Sequence, residues 1–69
     1  MILYNILMKL KQLREENGVS QKELALYLNI KQNTYSQYET GKRQLPIDVL
    51  IKLAKFYNTT TDYILDLED

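Results

Sequence analysis

Cysteine and histidine are both missing from this chain of 69 residues, which also holds only two glycines and one proline. Without cysteine there is no disulfide scaffold and no thiol nucleophile, and without either residue type there is no structural zinc and no imidazole base. So few glycines and prolines also argue against a disordered chain. We expect one small domain over residues 1–69, held together by packing alone, that is not an enzyme and uses no cofactor and no metal.

Long hydrophobic runs are lacking too. The longest lies within residues 1–8, is too short to span a bilayer, and is followed by basic residues instead of being preceded by them. We therefore expect neither a signal peptide nor a membrane anchor, and a cytoplasmic location. The clustered carboxylates of Asp66, Glu68 and Asp69 stand at the C-terminal end, where we expect a frayed segment and not a metal site.

The spacing of apolar residues predicts helices, and no stretch alternates with period two for long enough to predict a strand. In the first helix, apolar side chains at intervals of three and four form one stripe: Leu3, Ile6, Leu10 and Leu13. Asn17 and Gly18 end that helix, because both tolerate the left-handed backbone of a helix C-terminus. The predicted fold class is all-α.

A helix-turn-helix unit is predicted over residues 20–41. Ser20 and Glu23 form a capping box that opens a second helix, since the serine hydroxyl accepts from the glutamate backbone while the glutamate side chain reaches back. Asn29 ends this helix, and a third helix runs over residues 32 to about 39. The turn of about three residues between them is the connection expected of a helix-turn-helix.

Two further helices are predicted in the C-terminal half. Pro46 suits the first position of a fourth helix, which runs to Tyr57. Its inward residues are Val49, Leu50, Leu53, Ala54 and Tyr57. Thr60 caps a short fifth helix. The apolar contacts of that helix come from Tyr63, Ile64 and Leu67.

The third helix has one aromatic face and one polar face. At about 100° per residue, Tyr35 and Tyr38 fall toward the core and Thr34 lies on the boundary. Four polar side chains share the other side: Gln32, Asn33, Ser36 and Gln37. An amide carries a donor and an acceptor side by side, which match N6 and N7 of adenine in the major groove of DNA. We predict that these four residues contact bases, with a merely solvated face as the alternative.

The chain resembles the phage repressor and Cro type of helix-turn-helix regulators, also called Xre-like. The resemblance covers residues 8–65 and rests on five stretches in register: Leu10, Leu13 and Arg14; SQKELA at 20–25; QNTYSQYETGKR at 32–43; LIKLA at 50–54; and TDY at 61–63. It implies a compact five-helix, lambda-repressor-like domain that binds double-stranded DNA through a recognition helix in the major groove. It also implies a transcriptional regulator, most often a repressor.

The resemblance further implies an ion pair and a set of phosphate contacts. In the family, an arginine of the first helix meets a glutamate at the end of the third, which here are Arg14 and Glu39. Phosphate contacts are expected at the second helix N-terminus and at both edges of the recognition helix. The candidates are Gln21, Lys22, Lys31, Thr34, Lys42 and Arg43. The family usually has Thr or Ser where Lys31 stands, so Lys31 either faces phosphate or is an ordinary surface lysine.

A single recognition helix buries little DNA surface, so we expect a homodimer on a palindromic operator with half-sites about one helical turn apart. One candidate interface is the last helix, through Tyr63, Ile64, Leu65 and Leu67. The other is the apolar N-terminal extension over residues 1–7, which precedes Met8, where relatives often begin. An ordered apolar segment has to pack either on its own domain or on a second protomer.

Two alternatives to a DNA-binding repressor stay open. A small helical module could use the same scaffold to bind another protein, or an antitoxin-type regulator could be controlled by a partner protein. No second domain is left to sense a metabolite, so we expect no small-molecule substrate, and we expect no membrane partner.

The net charge of zero argues against a DNA-binding protein only at first sight. Residues 1–44 hold seven basic and four acidic side chains, whereas residues 45–69 hold two basic and five acidic ones. The neutral total is a cancellation between two halves of opposite charge. We expect the basic half to face DNA and the acidic half to point away.

Overall fold

The computed structural model describes residues 2–67, and their side chains from Asn5 onward. The side chain of Leu3 in the predicted apolar stripe, and the whole of Glu68 and Asp69 at the C-terminal end, therefore lie outside the description. Within residues 2–67 there are five helices and no strand, which confirms the predicted all-α architecture. The helices are α1 (Ile2–Glu16), α2 (Gln21–Leu28), α3 (Gln32–Thr40), α4 (Ile47–Phe56) and α5 (Thr61–Ile64).

Local hydrogen bonds set both ends of α2. The Ser20 hydroxyl accepts from the N–H of Glu23 at 3.0 Å, and the Glu23 carboxylate accepts from the N–H of Ser20 at 3.3 Å. This capping box satisfies two donors near the start of the helix. At the other end, Asn29 adopts φ 59° and ψ 45°, a left-handed conformation that turns the chain toward α3. The predicted start and end of α2 are confirmed.

The core collects one wholly buried large side chain from each helix. These are Leu10, Leu24, Tyr35, Leu53 and Ile64. Burial of a side chain of this size stabilises a fold by about 2 kcal/mol. Ala25 is buried too, and its small side chain lets α2 and α3 approach closely. The helix-turn-helix pair is therefore part of the core and not an appendage to it.

Two predicted positions in the C-terminal half are wrong, and one helix ends a residue earlier than predicted. Pro46 is the N-cap of α4 and not its first residue, because its ψ of 152° keeps it extended. The helix ends at Phe56 with Tyr57 as its C-cap, but the predicted inward position of Tyr57 is confirmed, because its side chain packs against the core. Leu67 gives α5 no core contact, because the helix ends at Ile64 and Asp66 turns the chain with φ 61°, which leaves Leu67 exposed.

Part of the N-terminal extension packs on its own domain. Ile6 lies against the core, and the Asn5 side chain donates to the Asp66 carboxylate at 3.1 Å. Leu7 lies against the turn after α3, where a Cβ added to Gly41 would stand 2.9 Å from a Leu7 methyl group. Gly41 also has φ 80°, a backbone conformation that favours glycine.

Neither a membrane span nor a metal cluster is present among residues 2–67. No helix in that range is long and apolar enough to cross a membrane. The same part of the chain holds no group of three or more acidic residues placed to bind a metal ion.

A buried ion pair ties α3 to α1 and α2. Nε and Nη2 of Arg14 each lie 3.0 Å from a carboxylate oxygen of Glu39, and the two side chains are only 17% and 5% exposed. Nη1 of Arg14 donates to the carbonyl of Val19 at 3.2 Å, and the Gln21 amide donates to Glu39 at 3.4 Å. The Glu39 carboxylate, near the end of α3, thus accepts hydrogen bonds from side chains of both α1 and α2.

The environment of this pair keeps both partners charged. Burial alone would raise the pKa of Glu39, but hydrogen bonds, above all from Arg14, outweigh it and hold that pKa below its ordinary value. The same hydrogen bond raises the pKa of Arg14. Burial and the nearby Glu39 charge raise the pKa of Tyr57 to about 12, and the same two causes raise the pKa of Tyr35. Both tyrosines therefore stay neutral near pH 7.

We expect Glu39→Gln to lower the free energy of unfolding at pH 7 by about 3 kcal/mol, because it leaves the Arg14 charge buried without its partner. The loss should shrink in acid. The pKa of Glu39 is lower in the folded state than in the unfolded chain, so its ionised carboxylate stabilises the fold fully above the unfolded carboxyl pKa. This stabilisation disappears as the pH falls through the lower pKa of the folded state. Urea unfolding of both proteins between pH 7 and pH 2 measures the difference.

The exposed Glu16→Gln serves as the matched control and should change stability by less than about 0.5 kcal/mol. A difference between wild type and Glu39→Gln that stays constant down to pH 2 would contradict a stabilising charge on Glu39.

Candidate nucleic-acid interface

The exposed side of α3 carries the polar residues predicted to contact bases. Gln32 and Asn33 are exposed, and Ser36 and Gln37 are half-buried on the same side. The opposite side is buried through Tyr35, Tyr38 and Glu39. Because the ion pair and the two aromatic rings hold that opposite side in the core, the amides and the hydroxyl have to face outward.

The start of α2 brings a second polar group toward the same region. Gln21 is half-buried and its side chain donates to Glu39, the carboxylate that anchors α3. Lys22 follows it and is exposed. The first N–H groups of a helix have no acceptor within the helix, so they and the Gln21 amide can meet a phosphate oxygen.

Basic residues stand at both ends of α3. Lys31 is its N-cap, exposed and without a side-chain capping hydrogen bond. Lys42 and Arg43 are exposed just beyond Gly41, the C-cap. Thr34, the remaining phosphate candidate, is half-buried on the helix itself. The cations thus bracket the polar face and do not interrupt it, an arrangement that suits phosphates on either side of a groove.

Arg14 is occupied by structural contacts. Two of its nitrogens bind Glu39 and the third binds the Val19 carbonyl. This geometry directs the Arg14 guanidinium into the fold.

The structure joins two residues that the sequence assigned to separate roles. Nε of Arg43 donates to the side-chain oxygen of Gln37 at 2.9 Å, and the backbone N–H of Arg43 donates to the Gln37 carbonyl at 3.2 Å. A predicted phosphate contact is therefore hydrogen-bonded to a predicted base contact. No short-range sequence pattern predicts this hydrogen-bonded pair, because it depends on the path of the chain after Gly41.

The last turn of α3 also contains a side-chain hydrogen bond that the sequence analysis did not predict. The Thr40 hydroxyl donates to the carbonyl of Ser36 at 3.0 Å and to that of Gln37 at 3.4 Å. A threonine in the last turn of a helix is a recognisable signal for such a bond, since its hydroxyl reaches carbonyls three and four residues back.

Several curated proteins are similar to this chain. The HTH-type transcriptional regulator ImmR of Bacillus subtilis (strain 168) is 43% identical over 61 residues, which cover 88% of this chain and 48% of ImmR. The SPbeta prophage-derived uncharacterized HTH-type transcriptional regulator YonR of the same organism is 35% identical over 57 residues, 83% of this chain and 53% of YonR. The cryptic phage CTXphi transcriptional repressor RstR of Vibrio cholerae is 39% identical over 49 residues, 71% of this chain and 44% of RstR.

This chain spans about half the length of these relatives. No solved structure matches it significantly. A helix-turn-helix family, HTH_3, matches residues 10–64, from Leu10 in α1 to the last residue of α5. Since that match covers most of the chain and includes both helices of the predicted unit, this protein belongs to the helix-turn-helix family HTH_3.

Proposed function

We propose that this protein binds double-stranded DNA sequence-specifically, with α3 in the major groove, and that it represses transcription. The observation that carries the proposal is the outward polar face of α3, held in place by the Arg14–Glu39 pair and bracketed by cations. Relatives named as transcriptional regulators, one of them a phage repressor, support it. We also propose a cytoplasmic location, as suits a regulator similar to these bacterial proteins, and an activity that is binding without catalysis.

In this proposal, base contacts and phosphate contacts have different tasks. Gln32 and Asn33 offer a donor and an acceptor side by side, which discriminates between base pairs. Lys31 and Lys42 attract any duplex, which gives affinity without sequence preference. Substituting a base-contacting residue should therefore weaken binding to a specific site only, whereas substituting a phosphate-contacting residue should weaken binding to any duplex. Binding assays on a specific and a random duplex separate the two effects.

The alternative considered from the sequence is a protein-binding role for the same scaffold, either as an interaction module or as a regulator under the control of a partner protein; relatives named as transcriptional regulators do not favour it. That role requires neither the amides of α3 nor the basic residues beyond it. The salt dependence of binding to random duplex separates the two proposals, because each phosphate contact adds about −0.9 to the slope of log K against log salt.

We also propose that the protein acts as a homodimer on a palindromic operator. An apolar groove of about 560 Å³ lies between the start of α1, the loop after α3 and the start of α4. Both interfaces considered from the sequence meet there, since Ile6 and Leu7 line it from the N-terminal extension and Leu65 from the end of α5. Ile64 is excluded from any interface because it is wholly buried.

The exposed residues of α4 favour a second copy of this chain as the partner that binds at the groove. Ile47 lines the groove and is 73% exposed, and Ile51, one turn later, is exposed too. Asp48 and Lys52 follow them, also one turn apart and both exposed. In an antiparallel pairing about a two-fold axis, Asp48 would meet the partner's Lys52, and Lys52 the partner's Asp48. This surface is therefore self-complementary in charge.

The groove is also placed well for DNA. Gly41, Arg43 and Gln44, which follow the recognition helix, form one of its walls. A second copy on this surface therefore adjoins the end of α3, so that two recognition helices can reach successive major grooves on one side of the duplex.

We expect Gln32→Ala to weaken binding to a site selected from random duplexes by about 1–3 kcal/mol, because it removes a bidentate base contact. Binding to unselected duplex should stay nearly unchanged. Lys42→Ala should weaken both by the same factor. Fluorescence anisotropy titrations on the two duplexes provide the comparison.

Equal losses on both duplexes after Gln32→Ala would contradict base reading by that residue. A wild-type affinity that does not respond to salt would contradict DNA binding altogether and favour the protein-binding role.

For the dimer, Ile47→Glu should convert the protein to a monomer in sedimentation equilibrium, because it places two like charges in an apolar interface. Leu26→Glu is the matched control, since Leu26 is also 73% exposed but belongs to α2, away from the residues that line the groove. A change in mass for both variants, or for neither, would be evidence against this interface.

A further inference from the structure

Arg43 differs from the other cations around α3 in having a defined hydrogen-bond partner. Its Nε donates to the side-chain oxygen of Gln37 at 2.9 Å. Its backbone N–H donates to the main-chain carbonyl of the same residue at 3.2 Å. Lys31 and Lys42 are also exposed, but their side chains form no hydrogen bond among the described residues. The Arg43 side chain is therefore folded back toward α3, and the side chains of the two lysines are not.

This contact directs the Arg43 guanidinium to the polar face of α3. Gln37 belongs to the four residues on that face that are predicted to contact bases, with Gln32, Asn33 and Ser36. A guanidinium group is planar and rigid, so the two terminal nitrogens of Arg43 lie close to the amide that binds its Nε. They therefore stand beside the groups proposed to read bases, and not at the outer edge of the interface where phosphates are met.

Most of the donors of this guanidinium stay available to DNA. A guanidinium has five N–H groups and no acceptor, and Gln37 engages only the one on Nε. The partner is a neutral amide, and no carboxylate among the described residues pairs with Arg43, so its positive charge is not neutralised. The two terminal nitrogens form a fork of parallel donors. Such a fork matches N7 and O6 of guanine, the two adjacent acceptors in the major groove.

Gln37 keeps its own capacity to contact a base. Its side-chain oxygen has two acceptor sites, of which Arg43 occupies one, and no described residue accepts from its NH₂ group. The two side chains can thus contact neighbouring base pairs. Gln37 also restricts the long arginine side chain before DNA binds, which lowers the entropy lost when the guanidinium is fixed on a base.

We propose that Arg43 is a base-contacting residue that reads one guanine through N7 and O6, with its guanidinium supported by Gln37. The inference rests on the proposed function, because it requires α3 to lie in the major groove. It gives Arg43 a task different from the phosphate contact expected from the sequence. Phosphate binding is left to cations such as Lys31 and Lys42, whose side chains have no such support.

Selection from random duplexes locates the guanine. Arg43→Ala should lose the preference for guanine at one base pair, by about tenfold. Gln37→Ala should weaken that preference and abolish another at a neighbouring pair, because Gln37 both supports Arg43 and contacts a base. Lys42→Ala is the matched control, since it removes a neighbouring exposed cation that has no contact with Gln37 among the described residues. It should lower the affinity for every duplex alike.

Base analogues at that guanine then show whether the contact is direct. 7-Deazaguanine lacks the N7 acceptor, so it should weaken binding of wild type by about tenfold and leave binding of Arg43→Ala unchanged. Hypoxanthine keeps N7 and O6 and lacks only the amino group in the minor groove, so it should weaken neither protein. Each result is a ratio of affinities of one protein for two duplexes, measured by fluorescence anisotropy. A uniform loss through folding, dimerisation or phosphate contacts cancels in that ratio.

The outcomes distinguish the inference from the function on which it rests. If Arg43→Ala weakens binding to all duplexes by one factor and keeps every base preference, Arg43 contacts phosphate alone and the inference is wrong while base reading by α3 stands. Loss of preference for a base other than guanine, or an equal penalty from 7-deazaguanine in wild type and in Arg43→Ala, also overturns the inference. If wild type selects no sequence at all, the proposed function fails and the inference fails with it.

Discussion

The ion pair between Arg14 and Glu39 is the contact on which the presentation of α3 depends. Apolar side chains such as Leu24 pack in any arrangement that fills space, but a two-point contact between guanidinium and carboxylate is satisfied in only one orientation. The pair also engages the carbonyl of Val19 and the amide of Gln21. Removing one partner alone is costly, but desolvation of both charges keeps the net gain from the intact pair small. Its physical role here is to fix the direction in which α3 points.

That constraint decides which side of a short helix meets solvent. In the nine residues of α3, the buried side chains are Tyr35, Tyr38 and Glu39, so the polar residues between them are turned outward together. The same side chains in a free helix would present every face equally. A chain without net charge can thus expose a local region suited to DNA, because Lys31, Lys42 and Arg43 flank this helix while five of the nine acidic residues lie within residues 45–69.

The loop after α3 connects three features of the molecule. Gly41 gives the chain room to pass under Leu7 of α1. The following residues return to bind Gln37 through Arg43 and then line the groove that Ile47 enters. The proposed base contact of Gln37, the end of α3 and the proposed dimer surface therefore meet at one short loop.

The sequence by itself determined the elements and the character of the polar face. Ser20, Asn29 and Gly41 mark helix ends because their effects act between residues at most four apart, and the helical period alone separates Tyr35 from Gln32. Only the tertiary structure decided that Arg43 binds Gln37, that Gln21 binds Glu39 and that Leu67 is left exposed. Those outcomes depend on the paths of loops and on helices brought together from distant parts of the chain, and no short-range pattern encodes such paths.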